Sequence, residues 1–403
     1  MEETLQPMNS SSNPDPKQAI SGCTFEETLE NLPNEVIIEI LTWLPVKTLL
    51  QFRCVSKSWR DAISSPKFIK AQFKKSSNRD DYARHRVLYR CCKTLGDTRL
   101  CSFETRYFPV APVFFGDINA TIDSTLVEDP FINSCDAQIV AAAHGLVCVS
   151  RGKDFYFWNP TLRKFKKLPR FYDLPKEGGQ VQILFGYNED EDDHQVCLIA
   201  FGKWIAVYSG NTNTWKRIPG FVGGMREGYF LVRGKLYWGK GTSGRGKICY
   251  LDLKTEAYGV LQQPDYGNGT FDMVFGAVEG GLDVLCYHRT SHIDMWMMKE
   301  NGGKQSWTKM LLVPKFKDPS GRKCCQPVLV SKDGKIFFVY RKFMALSDPK
   351  TKLVTFPRVT PMGEPWLSEV VVESLFLVND HDAEGPVADP GTNGLVMIQH
   401  RLD

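Results

Sequence analysis

Five segments of this chain repeat one plan. Each has an aromatic or aliphatic strand, a short turn with Thr, Lys or Gly, and a second strand carrying Trp, Phe or Tyr. They are DFYFWNPTLRKFKKLP, IAVYSGNTNTWKRIP, ICYLDLKTEAYGVL, IDMWMMKENGGKQSWTKM and FMALSDPKTKLVTFP. With Trp158, Tyr208, Tyr250, Trp296 and Leu346 as markers, the copies recur about every 42–50 residues. A period of that size suits a propeller blade of four strands. Over residues 85–378 it predicts about six blades. TRLCSFETRYFPV, around Cys101, reads as an earlier and weaker copy. The late segment VVVESLFLV is placed to pair with the first strands and close the ring, which would remove exposed sheet edges. A β-sandwich is the alternative arrangement of the same strands.

Other short runs in this region, such as GLVCVS, KLYWG, LDVLCYH and KIFFVY, are rich in β-branched and aromatic residues and bounded by turn formers. No long helical pattern interrupts them. The fold class expected is therefore α+β multidomain, with a small helical module at 28–73 and an all-β propeller-like domain at 85–378. Residues 1–27 and 379–403 read as tails and 74–84 as a linker. The 403 residues leave room for this division.

The net charge of +4 argues against a dedicated nucleic-acid binder. The opening MEETLQPMNSSSNPDPKQAISG is polar and lacks the apolar segment of a secretory signal, so it reads as a disordered tail. No apolar run is long enough to span a membrane. The 12 cysteines sit mostly singly among apolar residues, without any C-x-x-C, and are expected as reduced, buried thiols. The expected location is the cytoplasm, the nucleus or both.

Residues 28–73 carry a different period. Ile37, Ile40, Leu41 and Leu44 fall at i, i+3, i+4 and i+7, one face of a helix. Pro33 suits its first turn, and Pro45 ends it or restarts the chain. Leu49, Leu50 and Phe52 suggest a second helix; Val55, Trp59, Ala62 and Ile63 suggest a third. SSPKF then offers a serine cap with proline in the next first turn. Val36, Ile38, Val46 and Leu50 fall off the main face. A module of about 45 residues is near the lower limit for a stable core. This much apolar surface needs cover, from the following domain or from a partner.

The string LPNEVIIEILTWLPVKTLLQFRCVSKSWRDAISSPKF resembles the F-box in its plant form. The resemblance is carried by Leu32-Pro33, Glu35, Ile40-Leu41, the run from Leu44 to Lys47, Leu49-Leu50, the run from Phe52 to Lys57, Trp59, and Ser65-Pro66 with Phe68. It implies a helical module that docks on the Skp adaptor of Skp–cullin–F-box ubiquitin ligases. The implied contact residues are Leu32, Pro33, Val36, Ile37, Ile40, Leu41, Leu44, Pro45, Leu49, Leu50, Val55 and Trp59.

The β region resembles the F-box-associated domain, of the F-box/kelch-repeat type. Its marks are Gly145-Leu146, Trp158-Asn159-Pro160, Phe185-Gly186-Tyr187 followed by acidic NEDEDDH, Gly234 to Trp238, DMWMMKENGGKQSWTKM, and Glu373-Ser374-Leu375. The paired glycines of true kelch repeats are not regular here. The resemblance implies a non-catalytic substrate receptor: the β domain holds a protein target, and cullin and RING subunits are recruited through the adaptor. The alternative is a protein that holds a Skp adaptor and a partner without driving turnover. PRFYDLPKEGG, GFVGGMREG and QQPDYGNGT are the candidate target-contacting loops.

Other motifs have ordinary readings. GTSGRGK at 241–247 fits a phosphate loop, but Ile248 and ICYLDL read as a strand where a helix is required. His288 and His292 in HRTSH have helical metal-pair spacing, but their flanks read as strands and Arg289 replaces the glutamate of the metalloprotease motif. NEDEDDH lacks calcium-loop spacing and reads as a solvated turn. The tryptophans read as blade packing. No G-x-S-x-G occurs, and the seven histidines form no catalytic constellation. No catalytic residue, cofactor or metal is expected, and the target is unknown.

Overall fold

The computed structural model describes residues 33–376 except 95–100, 118, 132–136, 175–180, 221–227, 241–246, 267–270, 279–280, 289–291, 302–303, 315–325, 341–342 and 362–363. Both expected tails, and Leu32, lie outside the described residues.

Four helices open the described chain: α1 Asn34–Thr42, α2 Val46–Phe52, α3 Lys57–Ser64 and α4 Pro66–Ser77. Pro33 and Pro45 stand just before α1 and α2, where a missing N–H costs nothing. Ser56 Oγ accepts from Trp59 N at 3.2 Å and Ser65 Oγ from Phe68 N at 3.3 Å. Each serine thus satisfies an amide that the helix leaves without a partner. α4 continues through Lys74–Ser77, residues expected as linker; its last-turn Lys74 and Lys75 suit the negative end of the helix dipole. Leu41, Val46, Leu49, Ile63, Phe68 and Ile69 form the module's core.

Six four-stranded blades follow. Blade one holds β1 His85–Thr94 and β2 Cys101–Pro109. Helix α5 Ala111–Phe115 and strand β3 Thr121–Asp123 then precede its outer strand, β4 Thr125–Leu126. Blade two is β5 Ala137–Ala143, β6 Leu146–Arg151, β7 Asp154–Asn159 and β8 Lys164–Lys167. Blade three is β9 Val181–Asn188, β10 Asp193–Ala200, β11 Trp204–Ser209 and β12 Thr214–Pro219. Blade four is β13 Tyr229–Val232, β14 Lys235–Lys240, β15 Lys247–Asp252 and β16 Tyr258–Val260. Blade five is β17 Phe271–Val278, β18 Gly281–His288, β19 His292–Asn301 and β20 Lys304–Pro314. Blade six is β21 Gln326–Val330, β22 Ile336–Tyr340, β23 Phe343–Asp348 and β24 Leu353–Thr355. β25 Arg358–Thr360 pairs in parallel with β3, and β26 Glu364–Val372 returns to pair with β1.

β26 is therefore the innermost strand of blade one, supplied from the far end of the described chain. The inner strands touch in a closed circuit, β26 to β5, β9, β13, β17, β21 and back to β26. A sandwich has no such circuit, so the alternative arrangement is excluded. Middle strands such as LVCVSR and WIAVYS are buried along most of their length because blades cover both faces. Outer strands such as TWKRIP meet water on one side. The repeat visible in the sequence is thus the outer hairpin of blades two to six. In blade one, α5 and β3 intervene between the third and fourth strands, which is why that copy reads as weak.

Strands alternate in direction within each blade. Turns from first to second and from third to fourth strand therefore share one face of the ring. Turns from second to third strand, and the connections between blades, share the other. The helical module sits on the first face. Phe73 of α4 stacks on His144 in the β5–β6 turn at 4.8 Å. Lys70 pairs with Asp192 in the β9–β10 turn. After β26 the chain leaves the sheet, and Leu375 enters the core of the helical module.

Candidate partner-binding surfaces

α1 carries two apolar stripes. Ile37, Leu41 and Leu44, at i, i+4 and i+7, turn toward the module's core. Val36, Ile40 and Trp43 repeat the same spacing one residue earlier and turn outward. With Ile38 and Val55 they are 40–64% exposed, large apolar side chains left open to water among the described residues. Lys75 rests over the Trp43 ring at 4.6 Å and pairs with Glu39, whose carboxyl it holds below the usual range.

These positions revise the sequence reading of the module. Ile40 belongs to the outer stripe, because one helical step separates it from the Ile37–Leu41 row. Val46, read as off the main face, is fully buried. Leu41 and Leu49, expected as contact residues, are closed inside the module's core. Pro33, Val36, Ile40 and Val55 are exposed; Ile37, Leu44, Pro45, Leu50 and Trp59 are half-buried. Trp43 and Ile38 were missed as contact candidates. The i, i+4, i+7 spacing of Val36, Ile40 and Trp43 was the available signal.

Between the module and the ring lies a cluster of rings. His144 stacks on Tyr187 at 3.7 Å, and His194 packs near Phe185 and Phe376 at 5.9 and 5.5 Å. Burial pushes His144 down to about 4 and His194 to about 3, so both are neutral at physiological pH. Asn159, fully buried, donates through Nδ2 to Ser374 O and Phe376 O at 3.2 and 3.0 Å. Its Oδ1 accepts from Thr161 N and Leu162 N. Gly145 has φ +74°, and a Cβ there would overlap Ser374 Oγ. The Asn159 and Gly145 of the sequence motifs thus anchor the segment that joins ring to module.

The acidic NEDEDDH turn is not merely solvated. Glu189 pairs with Arg233, Glu191 with Lys254 and Asp192 with Lys70. Trp158, Trp204, Trp215, Trp238, Trp296 and Trp307 pack between blades. Trp215 Nε1 donates to Pro169 O and Trp307 Nε1 to Gln262 O, both at 2.7 Å, tying an outer strand to the preceding blade's exit. The three candidate loops follow β8, β12 and β16, so all are blade connections on the face away from the helical module. Parts of each, and residues 241–246 of GTSGRGK, lie outside the described residues; Lys247 and Ile248 begin β15, a strand as expected. Burial pushes the thiols of Cys148, Cys197 and Cys286 up.

Comparison with known proteins agrees with both halves of the chain. The F-box domain matches residues 29–71, and the F-box associated beta propeller domain matches residues 119–355. The chain belongs to the F-box proteins with an F-box associated propeller. F-box/kelch-repeat protein At3g23880 of Arabidopsis thaliana is 28% identical over 78% of this F-box protein and 87% of its own length. F-box protein CPR1 of the same plant is 26% identical over 87% and 89%. Of solved structures, the dihydro-heme d1 dehydrogenase NirN covers 72% of the chain and 73% of its own at 11% identity and a TM-score of 0.32, which supports no inference. No helix among the described residues of this F-box protein is long and apolar enough to cross a membrane.

Proposed function

We propose that this F-box protein is a substrate receptor of a Skp–cullin–F-box ubiquitin ligase. The observation that carries the reading is the outer stripe of α1: Val36, Ile40 and Trp43, joined by Ile38 and Val55, on a module whose core is already closed by Leu375 on its other side. Covering each such side chain contributes up to about 1.5–3 kcal/mol, enough in sum to hold a partner. The partner is a Skp adaptor, reached through Pro33, Val36, Ile37, Ile40, Leu44, Pro45, Leu50, Val55 and Trp59, with Leu32 preceding Pro33 in the sequence. The adaptor brings cullin and RING subunits. The propeller holds a protein target, and the chain itself makes and breaks no bond. Its contribution is proximity, which raises the effective concentration of target near the charged ubiquitin-conjugating enzyme.

The test replaces the stripe while sparing the core. Val36→Asp with Ile40→Asp should abolish co-purification with a Skp adaptor and leave the melting temperature within a few degrees of wild type. Undiminished adaptor binding would remove the assignment. Proximity labelling with the F-box intact or deleted, under proteasome inhibition, identifies the target. A target whose half-life is the same with and without the F-box would indicate holding without turnover.

A further inference from the structure

The second and third strands of blade five bring together side chains whose relation is hidden in the linear order. Across β18 and β19, Cys286 faces Asp294 and Tyr287 faces Ile293. One more step of that register sets His288 opposite His292. The two-residue alternation of a strand then puts His288, His292 and Asp294 on the same face of the sheet. One ligand atom from each lies within 4.8 Å of the others. His288 Nε2 is 3.1 Å from Asp294 Oδ2, and His292 Nε2 is 3.5 Å from Oδ1. The two imidazoles stack with centroids 4.1 Å apart. In a tetrahedral zinc site with bonds of about 2.0–2.1 Å, neighbouring donors stand about 3.3 Å apart. The two histidine–carboxylate separations lie on either side of that value, each histidine facing a different oxygen of the Asp294 carboxylate.

We propose that His288, His292 and Asp294 form a zinc site with three protein ligands and a fourth position open to solvent. Imidazole and carboxylate donors suit this ion, and three ligands plus water is a common arrangement for it. The Asp294 side chain is only 3% exposed, and its Oδ1 has no hydrogen-bond partner. A buried carboxylate calls for polar or cationic partners beside it. Lys309 Nζ, 2.9 Å from Oδ2, fills that role without metal. Lys309 is partly exposed and lies 5.5 Å from the Trp296 ring centre, so it can yield Oδ2 and keep a favourable seat over the indole. The histidine rings are partly open to water, which gives the ion a way in. The site lies at the facing ends of β18 and β19, on the ring face away from the F-box. It is independent of the ligase reading: zinc can pin these two strand ends whatever the protein's partners are.

The full chain, stripped by a chelator, is titrated with Co²⁺, whose tetrahedral complexes absorb strongly in the visible, and then with Zn²⁺. The expected result is a Co²⁺ band that saturates at about one equivalent and is displaced by zinc. His288→Ala with His292→Ala should lose the band, and the near-isosteric Asp294→Asn gives the same reading if the double variant does not fold. Lys309→Met keeps every ligand and removes the competing ammonium, so it should bind Co²⁺ several-fold more tightly. A wild-type chain without the band, a band retained in the ligand variants, or weaker binding in Lys309→Met overturns the site.

Discussion

Asp283 shows how much one side chain can set against its surroundings. It is fully buried in blade five, and neither carboxylate oxygen reaches a hydrogen-bond partner outside its own residue. Gly276, its cross-strand neighbour, leaves the space: a Cβ there would lie 2.6 Å from Asp283 Oδ2. Burial pushes the carboxyl up to about 8. An unfolded aspartate titrates near about 3.9. Between those values the folded protein keeps a proton that the unfolded chain releases. The associated stability is therefore complete below about pH 4 and declines as pH rises to about 8. Asp283→Asn should flatten that decline and raise the melting temperature at pH 8. Melting curves from pH 5 to pH 8 check this, and an unchanged slope would count against the argument. The sequence offered no warning of Asp283, because LDVLCYH reads as an ordinary strand. Ile40 was misplaced for a related reason: a helix apolar on two adjacent stripes does not say which stripe faces inward.

At the scale of elements, most of what was read acts locally. The helices were marked by Pro33, Pro45 and the serine before Pro66, whose effects act within a turn; the Ser56 cap was an equally local mark that was not read. The outer hairpins were marked by their own turns and by Trp215 and Trp307, which tie each to the blade before. The inner strands carried no such marks, since AQIVAAA owes its place to the ring around it. The segment from Glu373 to Phe376 was legible only as the end of a strand. In the structure it crosses from ring to F-box, held by Asn159 and by Arg86, which pairs with Glu373 at 2.8 Å. Leu375 is 3% exposed among Leu41, Val46, Leu49, Ile63, Phe68 and Ile69. Leu375→Asp places a charge in that core and should cost about 3–5 kcal/mol, in the range of other severe core substitutions. Hydrogen exchange should then rise in α1 to α4 while blades three to five stay protected. Equal exchange in module and ring would show that the segment is not their joint.

The whole molecule is a ring with its F-box fixed on one face and its candidate target loops on the other. None of this relation was legible in the sequence, because it depends on contacts such as Phe73 with His144 and Phe376, between residues far apart in the chain. Phe73→Ala should loosen the F-box on the ring without touching the outer stripe of α1. Adaptor co-purification should then persist while target ubiquitylation falls several-fold; equal loss of both would mean that Phe73 only supports the F-box's own fold. The position of Leu375 also governs how the protein is made. A ribosome adds roughly 5–20 residues per second. After α4 emerges, the chain therefore grows for roughly 15–60 s before the leucine that completes the F-box core exists. Throughout that interval blade one lacks its inner strand as well. A nascent or broken chain thus lacks the leucine that completes the F-box core, and the last stretch of the ring acts as a seal of completeness on the helices that carry the outer stripe.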